Sequence, residues 1–91
     1  MSTQTSVLEE TEQQTDTPWA VLLWDDPVND MAYVSYVLAQ VFQYDSKKAS
    51  QIMLEAHTNG KARAWSGERH TAEEKVAELH QWKLQATLER A

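Results

Sequence analysis

The run Trp19-Ala20-Val21-Leu22-Leu23-Trp24 ends abruptly at Asp25-Asp26-Pro27. Six apolar residues suit a buried strand. Two carboxylates and a proline cannot continue it, and Pro27 with Asn29 marks a turn. Asp30 is placed to cap a helix, and from Met31 the apolar positions 31, 34, 37, 38 and 41 follow helical spacing. The pattern predicts a first helix to about Phe42. Strand end, turn and helix start therefore follow one another within a few residues, which forces the polar residues of this stretch to a junction between elements.

The rest of the chain can be read in the same way. Asp45 can cap a second helix whose stripe is Ala49, Ile52, Met53 and Ala56. Gly60, after Asn59, is placed to end it in the left-handed conformation. Lys61 to Trp65 reads as a weak strand and Ser66-Gly67 as a turn. Thr71-Ala72-Glu73-Glu74 fits a capping box that opens a third helix with Ala72, Val76 and Leu79 inward. Leu84, Ala86 and Leu88 alternate with polar residues as a last strand. The order β-α-α-β-α-β predicts an α+β fold, a small three-stranded antiparallel sheet with three helices packed on one face.

Residues 1–17 are mostly Ser, Thr, Gln and Glu, and such a segment cannot bury enough surface to offset its ordering entropy. The expectation is a disordered acidic extension followed by a core over 18–91. Glu9, Glu10, Glu12 and Asp16, with no Lys or Arg among them, account for −4 of the net charge of −6. The remainder is nearly balanced. Phosphate binding requires a basic footprint, so nucleic acid is excluded as a partner. No apolar run approaches the roughly 20 residues of a membrane span, and a signal-peptide profile is absent. A cytoplasmic monomer is expected. The absence of Cys removes disulfides and thiolate metal sites.

Asp25, Asp26 and His57 are the residues with chemistry to offer. Asp25 and Asp26 lie at a strand end, where neighbours point to opposite faces, so both need not reach one ligand. His57 follows Met53 by one helical turn and shares its face. Met31, Val34 and Met53 could line a cavity, because methionine adapts to varied shapes. Each feature has an ordinary reading as well: solvated strand breakers, a satisfied structural histidine, a core stripe. Enzyme readings fare worse. Neither a Cys nor a Gly-x-Ser-x-Gly elbow is present. Three potential ligands without His-x-x-x-His spacing make a poor metal site, a paired-carboxylate cleft needs a larger domain, and no phosphate loop occurs. No cofactor is expected.

Together these motifs resemble the ClpS family, adaptors of the bacterial Clp protease. The resemblance covers about residues 18–91. It rests on Leu22-Leu23-Trp24-Asp25-Asp26, the Pro27-Val28-Asn29-Asp30-Met31 entry, Tyr33-Val34, Tyr44, Ala49, Met53-Leu54-Glu55-Ala56-His57, Gly60-Lys61-Ala62 and Thr87-Leu88-Glu89-Arg90-Ala91. It implies a non-enzymatic adaptor that binds proteins beginning with Leu, Phe, Tyr or Trp and hands them to a Clp ATPase. The α-ammonium would be held by Asp25, Asp26 and His57. The first side chain would enter a pocket of Met31 (the gate), Val34, Met53, Ala56 and Leu84, with Asn29 on the rim. Lys75 resembles a lysine of the face that docks on the N-terminal domain of ClpA or ClpC. The chain departs from the family in three places: Asp25 stands where Asn is usual, Pro27 removes a second Asp, and Ala56 replaces a bulkier Val, which predicts a roomier pocket. Two other classes compete, a structural domain resembling the ribosomal stalk C-terminal domain and a metal-dependent hydrolase using Asp25, Asp26 and His57.

Overall fold

The computed structural model describes residues 18–91, so the expected disorder of residues 1–17 lies outside the described residues. The elements are β1 (Trp19–Trp24), α1 (Met31–Phe42), α2 (Ser46–Asn59), β2 (Lys61–Gly67), α3 (Arg69–Gln81) and β3 (Ala86–Arg90). The sheet order is β2-β1-β3, antiparallel throughout, so the first strand lies in the middle. This is the α+β arrangement expected from the pattern. A central strand has no free edge and is the natural place for the most apolar segment.

Val21 and Leu23 point into the core, where they meet Val37, Leu38 and Val41 of α1, Ile52 and Ala56 of α2 and Leu79 of α3. Ala20 and Leu22 point to the other face of the sheet and are also buried, with Ser66, Glu89, Arg63 and Thr87 beside them in register. Apolar residues on both faces explain the unbroken run. Between Val21 and Leu22 the pairing with β2 slips by one residue. The slip leaves Ala64 opposite no partner, the signature of a bulge. Its carbonyl accepts from the Tyr44 hydroxyl at 2.7 Å. Burial pushes the Tyr44 phenol above its usual pKa, keeping it a donor.

The helix ends follow local chemistry. Asp30 accepts from the Tyr33 N–H and Asp45 from the Lys48 N–H, each at 2.8 Å, as N-caps do. Two expectations need correction. Helix α3 starts at Arg69, not at Thr71, because the Glu68 carboxylate accepts from both the His70 and Thr71 N–H groups and moves the cap back. Ser66 and Gly67 are not a turn but the end of β2, held by pairing with Ala20 and Trp19.

Gly60 has φ of 93° and nothing within 4 Å of where a Cβ would stand, so its requirement is conformational, not steric. Its carbonyl accepts from the Asp25 N–H at 3.0 Å, which ties the end of α2 to the end of β1. Gly60→Ala is therefore expected to destabilise the fold by about 1–2 kcal/mol, the cost of a left-handed L-residue. Urea denaturation checks this: the midpoint should fall with an unchanged slope.

Candidate functional site

Where β1 stops, the chain is clamped from both sides. The Trp24 N–H donates to the Gln85 carbonyl and the Asp25 N–H to that of Gly60, both at 3.0 Å. From there residues 25–30 turn across the mouth of a hollow between the start of α1 and the last turns of α2. Asp25, Asp26, Asn29 and His57 form its polar side; Met31, Val34, Met53 and Ala56 form its apolar side; Leu23 and Trp24 close it at the strand end. The hollow has a cavity volume of about 20 Å³, within about 270 Å³ of atom-free space that includes its open mouth. That is room for little more than one water. Met31, 46% exposed, stands at the lip.

The turn is built around Asp26. Its Oδ1 accepts from the Val28 and Asn29 N–H groups at 2.8 and 3.0 Å, and its Oδ2 accepts from Asn29 Nδ2 at 2.8 Å. Partial burial pushes the Asp26 carboxyl up, but the bonds from Asn29 and Val28 outweigh it and hold the group below its ordinary range. Asp26 is thus a fixed anion. Asn29 Nδ2 also donates to the Lys83 carbonyl at 3.2 Å, which anchors the rim to the exit of α3.

His57 meets Asp25: Nδ1 lies 3.3 Å from Asp25 Oδ1, with both side chains about half exposed. Alternation of faces does not carry past Trp24, where the strand ends, so both carboxylates reach the hollow after all. The carboxylate in contact with the histidine is Asp25, while Asp26 is engaged by its own turn. Strand-end logic gives no access to this distinction, because it depends on how residues 26–29 fold back.

Leu84 does not line the hollow. It is 3% exposed, its N–H donates to the Leu79 carbonyl at 3.0 Å, and Lys83 before it has φ of 71°. With Lys83 N–H bonded to the His80 carbonyl, this is a Schellman ending of α3, in which the residue after the left-handed one packs back on the helix. Strand β3 begins only at Ala86, two residues later than the alternation suggested. Lys75 is partly exposed, its Nζ donating to the Val41 carbonyl at 2.9 Å and lying 3.6 Å from Glu78 Oε1. There it satisfies a carbonyl of the last turn of α1, a favourable place for a cation.

Leu23 and Trp24 belong to the strand-end motif, but the resemblance assigns neither of them to the site. Trp24 is held by a bond from Nε1 to Thr87 Oγ1 at 2.8 Å, with Lys61 Nζ 5.3 Å from its ring centroid. Its position directly before Asp25 was the available signal. Among the described residues no three His, Asp or Glu side chains gather as a metal site would need, and no helix is long and apolar enough to cross a membrane.

A family model described as the ATP-dependent Clp protease adaptor protein ClpS matches residues 14–88. Among curated relatives, the ATP-dependent Clp protease adapter protein ClpS of Corynebacterium aurimucosum is 49% identical over 74 residues, 81% of this chain and 67% of that protein. The protein of the same description from Corynebacterium jeikeium is 45% identical over 84 residues, 92% of this chain and 83% of its own. A solved structure of Agrobacterium tumefaciens ClpS2 bound to L-phenylalaninamide superposes with a TM-score of 0.76 at 28% identity, covering 82% of this chain and 98% of that one.

The lowered Asp26 pKa has a consequence for stability. A carboxyl depressed in the folded state stabilises the fold above its unfolded pKa of about 3.9, and that contribution is lost as pH falls through the lower folded value. Asp26→Asn keeps an acceptor for the turn amides but loses the one for Asn29 Nδ2, so it should be less stable than the parent by about 0.5–1.5 kcal/mol above pH ~5, the net worth of one hydrogen bond. The difference should shrink toward zero below pH ~3. Urea midpoints from pH 2.5 to 7 measure it; a gap that does not change with pH would mean the charge is immaterial.

Proposed function

The chain belongs to the ClpS family of Clp protease adaptors, and we propose that its hollow receives the first residue of a substrate protein. The protein is an N-degron recognition adaptor, a binding module that delivers substrates to a Clp ATPase-protease. The observation that carries the assignment of the site is the two-sided lining: carboxylates and a histidine on one wall, methionine, valine and alanine on the other, at a single opening. A free N-terminus with a large apolar first side chain presents the same two features a few ångströms apart.

In this reading the α-ammonium donates to Asp25 and to a neutral His57, while Asp26 contributes its fixed negative charge and positions Asn29 at the rim. The first side chain, Leu, Phe, Tyr or Trp, displaces Met31 and enters between Val34, Met53 and Ala56. Leu84 acts only from behind, through Leu79 and the α3 exit. The protein works as a cytoplasmic monomer, and the seam of α1 and α3 that includes Lys75 docks on the N-terminal domain of a ClpA- or ClpC-type ATPase.

Burying a Leu or Phe side chain contributes about 1.5–3 kcal/mol, and each hydrogen bond to a charged group about 1.5–3 kcal/mol. Set against the loss of rigid-body freedom, one such side chain and two or three such bonds give dissociation constants on the order of micromolar. That suits an adaptor which must release its cargo. Acetylation removes the charge and two of the donors, leaving the acceptors of the polar wall without partners.

Fluorescence anisotropy with a dye-labelled peptide tests this. A Phe-initiated peptide should bind, its N-acetylated form should bind at least about tenfold more weakly, and Asp25→Ala or His57→Ala should weaken the free peptide about 10–100-fold. Equal affinity for free and acetylated peptide would remove the ammonium from the site. Met31→Ala should admit peptides beginning with Val or Ile that the parent rejects; unchanged rejection would show that Met31 is no gate.

A further inference from the structure

A second concavity lies on the opposite half of α2, away from the hollow. It is a shallow groove along the free edge of β2, walled by Lys48 and Ile52 of α2, Tyr44 before that helix, and Arg63, Trp65 and Ser66 of β2. Two cations and no carboxylate line it. Asp45, next to Tyr44, is turned toward the Lys48 backbone N–H as the cap of α2. Among the described residues neither Lys48 nor Arg63 has an ion-pair partner, whereas Arg69, His70 and Lys75 are each matched with a glutamate. Lys48 Nζ sits 4.2 Å from the centroid of the Tyr44 ring instead.

The chain itself holds the complementary charge, and it starts nearby. Trp19 pairs with Gly67, the last residue of β2, and the Pro18 carbonyl accepts from the Ala91 N–H. The Trp65 indole lies over Gly67, so the groove runs from Arg63 and Ala64 toward Pro18 and Trp19, the first of the described residues. Residues 1–17 carry Glu9, Glu10, Glu12 and Asp16, no Lys or Arg, and the apolar pair Val7-Leu8. Val7 to Glu12 precede Trp19 by a chain length of roughly 23–40 Å at about 3.3 Å per residue. The groove from Arg63 to Ser66 is only about 10 Å of strand. The segment can reverse direction after leaving the sheet and still cover it.

We propose that the acidic segment 1–17 docks in cis on the groove between α2 and β2, its glutamates against Lys48 and Arg63 and Val7-Leu8 against Ile52 and Trp65. Charge complementarity, the position of the segment's exit and its length all favour this occupant over a partner from outside. Because the tether keeps the segment at high local concentration, weak surface contacts suffice. The groove uses the first half of α2 and the hollow the second, so a docked segment leaves the hollow open. The same segment is thereby stored on the core until another basic surface competes for it.

The chain has no Cys, so Ser6→Cys gives a single attachment site for a nitroxide on the full-length protein. Proton–nitrogen NMR should show selective broadening of the Arg63, Ala64 and Ser66 amides and the Trp65 indole, with Met31 and His57 spared. The broadening should be lost in E9Q/E10Q/E12Q, in K48Q/R63Q, and at about 1 M salt, where the screening length falls to about 3 Å. Uniform broadening, or broadening that survives all three changes, overturns the proposal. So does broadening of an unlabelled isotope-enriched chain mixed with labelled protein, which would place the segment on a second copy. None of these readouts depends on substrate binding.

Discussion

Burial of β1 on both faces is the constraint from which the site follows. The strand is held in the middle of the sheet by ladders to β2 and β3, with Val21 and Leu23 beneath the helices and Ala20 and Leu22 on the far face. A one-residue slide would put the small Ala20 in place of Val21 under the helices and break the register of both ladders. The point at which it stops is therefore fixed, and there the clamps from Gln85 and Gly60 release Asp25 and Asp26 into a seam between α1 and α2. Polar groups at the end of an immovable strand are positioned without any specific support of their own. Two further devices act on the rim: the Asp26 carboxylate folds residues 26–29 into a compact turn, and Asn29 Nδ2 ties that turn to the Lys83 carbonyl.

The two adjacent carboxylates consequently divide the work. Asp26 is saturated with donors from its own turn and is held ionised by them. Asp25 accepts from the Asp26 N–H and faces His57, with nearly half of its side chain exposed. A charge that must greet an incoming cation is better left accessible, while one that shapes backbone is better enclosed.

Signals that act within one turn of chain were legible: the caps Asp30 and Asp45, the left-handed Gly60 and the helical stripe of α1 all fall where the residues said they would. Misreadings arose where a non-local partner overrode a local pattern. Ser66-Gly67 looks like a turn but is held in the sheet by Trp19 and Ala20; Thr71 looks like a cap but Glu68 reaches the amides first. Leu84, placed in the pocket by family resemblance, is turned back onto α3 by Lys83, an uncommon residue for a left-handed position, and lies beside Trp24 at the neighbouring concavity. The apolar residues of the hollow and its polar wall were recognisable from spacing and resemblance together. The pairing of His57 with Asp25 was not, because it depends on the path of a four-residue turn.

In the proposed reading of the hollow as the substrate site, its narrowness makes recognition draw on both halves of the ligand. With room for little more than one water, it must widen to take a side chain, and Met31 and Met53 are the adaptable side chains on its wall. An ammonium alone, at a mouth where His57 and Asp25 are both about half exposed to water, gains too little to offset the several kcal/mol that association costs. An apolar side chain alone, worth about 1.5–3 kcal/mol on burial, meets the same shortfall. Only a ligand that carries the charge and the apolar group on one carbon satisfies both walls for a single loss of rigid-body freedom. The first residue of a protein chain has that geometry and an internal residue does not, since its nitrogen is a neutral amide with one donor. In that reading, selectivity for chain ends follows from distance and charge at the mouth, and selectivity among chain ends from how far the methionines yield.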